Sequence, residues 1–417
     1  MGKWIGATEK GRGRQLIFIF SIVLNIGLLG YFKYTNFFIQ IINDLKLGQI
    51  NPLEIFLPVG ISFYIFKALS YIIDIYLENM EPIKSVRDFS LFIFYFPTLL
   101  AGPIERAFNF LPQIEEDIKL SKEAIGTAVF LIMSGLIKKV VIADSIGINF
   151  VDRVFDSPLR YTGVENLMAS YAYMLQLYAD FSGYTDMALG ISLLLGYRLT
   201  DNFNAPFKST SIAEFWRRWH ITLSSWCLDY IFRPLQMKFR GMKSFGNALA
   251  LFITFTIIGL WHGANWTYIV FGAIHGAYLA TSIFTRNIRS DFYEKYGLKN
   301  SRIVRFFQWL FTFQLLVFAV IFFRASKIEV ALNVLKQIFT FFHGEVFIQF
   351  VSGYTLVFGL IVFGYLIHFI PEKWKARTEL FVINTPLLGK SLMLAAVIWL
   401  VIQFRFADLQ PFLYFQF

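Results

Sequence analysis

Two histidines, His262 and His275, stand in the aromatic, apolar run GLWHGANWTYIVFGAIHGAYLA, Gly259 to Ala280. Lipid is a poor place for imidazole, so an ionisable side chain in a run long enough to lie within a bilayer marks a functional site by default. His262 is the sharper of the two. It stands between Trp261 and Gly263, where a small neighbour leaves room for a ligand to approach the ring. Either histidine could instead be a core residue bonded to helix carbonyls. The helical continuation favours that reading for His275, and the glycine-flanked position favours a functional one for His262. Their separation, 262 to 275, is not an i,i+4 metal spacing and no Cys/Asp cluster accompanies them, so no metal site is expected. Imidazole without metal partners points to general base catalysis.

Two further stretches carry polar groups between apolar runs. YADFSGYTDMALG places Asp180, Ser182, Tyr184 and Asp186 there, and its glycines predict a helix break after which a carboxylate caps the next helix or serves a site. FYFPTLLAGPIERAFNFLPQI combines Pro97, Gly102 and Pro103 with Glu105–Arg106. Irregular backbone at membrane depth is tolerated only where it is buried in protein or lines a cavity, so this stretch reads as a cavity wall. GxSxG, HExxH, P-loop and strand-following GxGxxG motifs are absent.

The elements that must position these residues are membrane helices. The hydrophobic fraction is 56% and the charged fraction 16%, against about 25% charged in soluble domains. Aromatics reach 19%, which suits lipid-facing helices and interfacial belts. Apolar segments follow one another from Leu16–Phe32 to Leu392–Phe404, roughly nine to eleven in all, some incomplete, in one all-α polytopic membrane domain covering 1–417. Ile125–Val141 is expected to stop at Lys138-Lys139, and Leu167–Leu195 to hold two helices. The single Cys227 excludes an intramolecular disulfide. The +10 formal charge fits basic cytoplasmic loops better than nucleic-acid binding, and no nucleic-acid module is visible. The basic block Arg198–Lys243 belongs on the cytoplasmic side. Within it, SIAEFWRRWHITLSSWCLDYIFRPL reads as one amphipathic interfacial helix, capped at Ser211 or Thr210 with Glu214, and anchored by Trp216, Trp219 and Trp226 at headgroup depth.

These blocks, with NFNAPFKSTSIAEFWRRWHITLSSW, IFFRAS and the terminal PFLYFQF, resemble the membrane-bound O-acyltransferase (MBOAT) family, in its bacterial alginate O-acetyltransferase branch. The resemblance runs from about Leu24 to Phe417 in family order. It implies a funnel of helices that passes an acyl group, most simply acetyl, from a cytoplasmic thioester to the hydroxyls of an exported polysaccharide such as alginate. It implies no bound cofactor; acetyl-CoA or an acyl carrier is the donor substrate. Partners would be membrane lipid, an acyl carrier protein, and the polysaccharide or an extracellular acyltransferase that passes the group on. The site would be a bacterial cell membrane. The family's essential histidine corresponds to His262 and its second characteristic one to His220. Asn265, the Trp266 N–H or His220 could meet the oxyanion, Trp261, Asn265, Asp180 and Asp186 are funnel or donor-site candidates, and Arg217 and Arg218 would meet an anionic donor or carrier at the cytoplasmic mouth.

The resemblance also suggests that helices usual in relatives before Leu24 are missing here, and it sets Leu228 where relatives commonly carry an Arg before Asp-Tyr. The terminal Phe412-x-Tyr414-x-x-Phe417 is either an aromatic interfacial anchor or, as in partner proteins of D-alanylation, an acyl relay through Tyr414. Transfer of D-alanine to a teichoic acid, and a transporter using His and Asp as a proton relay, are the alternatives.

Overall fold

A computed structural model describes residues 1–299, 301–404 and 411–413. Among the described residues its architecture is helical, apart from irregular connections and one isolated antiparallel bridge, Phe203 to Trp219. Helix α1, Arg12–Asp44, is a span interrupted by a π turn at Gly30–Tyr34. Helix α2, Ile61–Tyr76, is followed by the short Val86–Phe94 and an irregular stretch through Arg106. Helix α3, Lys122–Asp156, and helix α4, Gly163–Leu194, pack side by side. Two short helices, α5 (Ile212–Trp216) and α6 (Ile221–Cys227), precede the hairpin of α7 (Lys243–His262) and α8 (Trp266–Phe284). Helix α9 is Arg302–Arg324.

Among the described residues, five helices are long and apolar enough to cross a membrane, or six if the bent pair Val346–Gly353 and Thr355–Phe369 is one span. Other apolar runs end up as shorter helices, such as α2 and Leu387–Gln403, because hydropathy marks apolar sequence and not the length that stays helical. Helix α4 is the exception in kind. It carries Asn166, Gln176 and Asp180 buried, and packs against α3, α9 and Ile328–Thr340. It is the polar axis of the bundle.

Three expectations about these elements are corrected. Helix α4 runs unbroken through DFSGYTD, so Asp180 and Asp186 cap nothing. Its glycines serve contact: a Cβ on Gly183 would stand 2.9 Å from the Gly135 carbonyl oxygen of α3, and one on Gly135 would stand 2.5 Å from the Gly183 oxygen. Small residues of this kind let membrane helices approach backbone to backbone. Nor does α3 stop at Lys138-Lys139; it continues as a π helix, Ile137–Asp144. The reason is across the interface, where Lys138 meets Asp186 at 2.7 Å and Lys139 meets Asp180 at 2.6 Å.

The third correction concerns the basic block. Its helix is broken at Arg217–His220, between α5 and α6, and Trp216, Trp219 and Trp226 are buried at 5%, 5% and 4% exposure, not placed as surface anchors. The break has a visible cause. Residues 202–204 pair antiparallel with 218–221, through Asn204 N–H to the Arg218 carbonyl (2.9 Å) and Ile221 N–H to the Asn202 carbonyl (3.0 Å). The pairing holds His220 at φ +43°, a left-handed conformation that costs a non-glycine residue about 1–3 kcal/mol and that clusters at functional sites. The expected cap at Ser211 does form, its hydroxyl accepting from Glu214 N–H while Glu214 accepts from Thr210.

Candidate functional site

The α7–α8 hairpin builds the site. A Cβ on Gly272 would meet the Phe255 carbonyl and, at 2.9 Å, the Gly259 backbone, so the two helices touch along their length. Gly263 is extended and ends α7 directly after His262. Asn265 then starts α8, its Oδ1 accepting from Thr267 N–H at 3.0 Å and its Nδ2 donating to the Ser326 carbonyl at 2.8 Å. The histidine therefore sits at a helix C-terminus, three residues before Asn265, the N-cap of the next helix. Its ring is buried against Trp261, Phe271 and Phe323, with centroids at 5.2, 6.1 and 5.0 Å.

His220 comes to the same place from the break between α5 and α6. It is fully buried, edge-on to Phe181 at 4.6 Å and 6.1 Å from the Trp261 ring. Trp261 is thus shared by both histidines. Asn202 Oδ1 accepts from Thr222 N–H (3.1 Å) and the Thr222 hydroxyl (2.9 Å), and lies 3.2 Å from His220 Nδ1. An oxygen already receiving a backbone N–H is an acceptor, so Nδ1 carries the proton and donates, and Nε2 carries the lone pair. The Thr222 hydroxyl accepts in turn from Ile104 N–H, which ties the irregular Gly102–Arg106 stretch to His220. Burial, and then the charge His262 would carry, push the His220 imidazole well below its ordinary value. It is held as the neutral ring.

A cavity of about 210 Å³ lies beside this centre, with Asn265, Tyr268, Asp180, Lys139, Asp152 and Arg324 among its lining. Phe323 links the two, since its ring touches both His262 and Tyr268, the latter at 5.1 Å. Lys139 reaches Asp144 at 2.7 Å as well as Asp180. Asp180 also accepts Leu413 N–H at 3.0 Å, so Pro411 and Leu413 line this cavity as well.

The remaining candidates divide. Trp261, His262 and His220 converge, while Asn265 and Asp180 line the neighbouring cavity. Asp186 does not line it and instead holds Lys138 and Ser134. Arg218 pairs with Glu214 at 2.9 Å and donates to the Asn204 carbonyl, so it braces the pairing that holds His220; Arg217 is exposed. His275 is a core residue whose Nδ1 accepts from the Trp216 indole at 3.2 Å, a side-chain partner and not the helix carbonyl expected. Tyr414 lies outside the described residues. Asn202 and Lys139 were missed. Asn202 sits in the NFNAP stretch, and nothing in its spacing announces a partner eighteen positions away. Among the described residues, no group of three or more His, Cys, Asp or Glu could hold a metal ion.

With this geometry in view, the family model for the membrane-bound O-acyltransferases matches residues 82–324, more than half of the chain. The chain belongs to the MBOAT family. It is 39% identical over 348 residues to a probable alginate O-acetylase AlgI of Azotobacter vinelandii, covering 81% of this chain and 66% of that protein. It is 36% identical to the peptidoglycan O-acetyltransferase of Helicobacter pylori, over 80% of this chain and 66% of that one. Similarity extends, at 31% identity over 58% of this chain and 60% of the relative, to the teichoic acid D-alanyltransferase of Bacillus subtilis. The chain therefore spans a little under two thirds of the length of the first curated relatives it matches. MBOAT membership and the candidate spans make it a multi-pass membrane protein.

Proposed function

We propose that this chain is an O-acyltransferase of a bacterial cell membrane, moving an acyl group, acetyl in the first instance, from a cytoplasmic thioester to a hydroxyl of an exported polysaccharide such as alginate. The observation that carries the reading is the meeting of His262 and His220 on one buried tryptophan, beside a polar cavity. In the step itself, His262 takes the proton of the acceptor hydroxyl as that oxygen attacks the acyl carbon. The tetrahedral intermediate collapses with cleavage of the C–S bond, and the leaving thiolate recovers the proton from the imidazolium. The Trp266 N–H at the start of α8 lies four residues beyond His262 and is the donor of choice for the oxyanion, the Thr267 N–H being taken by the Asn265 cap. His220, with its lone pair on Nε2, is an acceptor in this tautomer and suits orientation of the hydroxyl better than oxyanion binding.

Arg217, exposed beside the brace of Arg218, is the contact for an anionic donor or acyl carrier. Similarity to the teichoic acid D-alanyltransferase supports a second acyl group and acceptor on the same machinery. The test is transfer from labelled acetyl-CoA, or acetyl-loaded carrier protein, by purified protein in detergent with no gradient. Transfer there separates an acyltransferase from a transporter; activity confined to sealed, energised vesicles would overturn the proposal.

A further inference from the structure

Helix α7 ends at His262, so the carbonyls of its last turn, Gly259 to His262, have no partner within the helix. Two consecutive residues of α1 supply partners. Lys33 Nζ donates to the Trp261 carbonyl at 2.6 Å and to the His262 carbonyl at 3.2 Å, and its third donor reaches Ser62 Oγ at 3.2 Å. The Tyr34 hydroxyl donates to the Leu260 carbonyl at 2.9 Å. Neighbouring side chains on an α-helix diverge by roughly 100°. Here both reach one turn of another helix, from the π turn Gly30–Tyr34, a distortion that in other helices recurs at functional sites.

Capping alone does not require a charge. A neutral donor would satisfy two carbonyls, whereas an ammonium in a membrane span is costly. All three ammonium donors of Lys33 are engaged, and its Nζ also lies 5.7 Å from the centre of the Trp261 ring. Lys33 Nζ thus grips the main chain of the two residues at the centre of the site.

We propose that Lys33 is a positioning residue for acyl transfer: it locks the last turn of α7 and so holds the Trp261 and His262 rings at the angle the reaction needs. The proposal rests on His262 being the general base. Misplacement of a catalytic group by about 1 Å can cost about a hundredfold in rate. Lys33→Met, close in length but without donors or charge, should therefore lower kcat per folded molecule by about 10–100-fold with KM for the donor within about twofold. Lys33→Arg should recover most of that loss. Lys33→Gln, one atom shorter and uncharged, should fall between the arginine and methionine variants.

A second readout is independent of turnover. In a Cys227→Ser, Ala264→Cys background, adding Lys33→Met should speed maleimide labelling at 264, because the turn preceding it is no longer held. Unchanged kcat per folded molecule together with unchanged labelling overturns the proposal. So does a fall in activity that merely tracks loss of folded protein. If Lys33→Met fails to accumulate, the ordering of Lys33→Arg above Lys33→Gln carries the test, and equal activities overturn it. His262→Ala in the same assay keeps the two ideas apart: full activity there removes the general base, while the labelling still reports whether Lys33 holds the turn.

Discussion

Replacing Lys139 by methionine tests the polar axis of the bundle. Its ammonium lies 2.6 Å from Asp180 and 2.7 Å from Asp144, and the three side chains are 7%, 2% and 15% exposed. Methionine keeps most of the volume and leaves two carboxylates facing each other without a cation. Removing one partner of a buried pair costs about 3–5 kcal/mol, because the other charge stays desolvated and unpaired. At about 1.4 kcal/mol per factor of ten, the unfolding constant should rise at least a hundredfold. Adding Asp180→Asn removes one of the stranded charges and should return part of the loss, leaving Asp144 and the accepted Leu413 N–H as the residue of the defect. The assay is reversible unfolding in mixed micelles with increasing SDS, followed by tryptophan fluorescence. A cost for Lys139→Met below about 1 kcal/mol, or a double mutant that loses the sum of the two single losses, would refute the pairing as a support of the fold.

Acid should destabilise the protein through His220. Its folded form is held well below the ordinary value of 6.5, so the unfolded chain binds the proton first as pH falls. Stability is then complete above about pH 6.5 and declines below it, and His220→Gln should flatten that decline between pH 7 and 5 in the same micelle titration. Tyr414→Phe separates a relay from an anchor: loss of nearly all transfer at an equal protein level supports an acyl-tyrosine step, and wild-type glycan acylation ends it. The basic block should face the cytoplasm, so Lys238→Cys in a Cys227→Ser background should resist an impermeant maleimide in intact cells; labelling from outside contradicts that orientation.

The helical membrane class, the junction of two apolar helices at His262 and the Ser211–Glu214 cap were legible because each depends on composition or on residues a few positions apart. What was hidden depends on partners far along the chain. Lys138 and Lys139 look like a helix end until Asp186 and Asp180 are set beside them, and DFSGYTD looks like a break until Gly183 is seen against Gly135. The amphipathic pattern from Ser211 onward is real, yet pairing with residues 202–204 bends it at His220 and turns its tryptophans inward. Asn202, which sets the His220 tautomer, and Lys33, which grips the α7 end, are unremarkable polar residues in the sequence. Only three-dimensional neighbours give them a role.

The central claim is that His262 is the base of an acyl transfer, and single-turnover kinetics of His262→Ala with labelled donor and a hydroxyl acceptor test it most directly. The purified variant should melt as the wild type does, bind donor with similar affinity, and transfer about 10²–10⁴-fold more slowly. Transfer at the wild-type rate by folded His262→Ala protein would contradict the account.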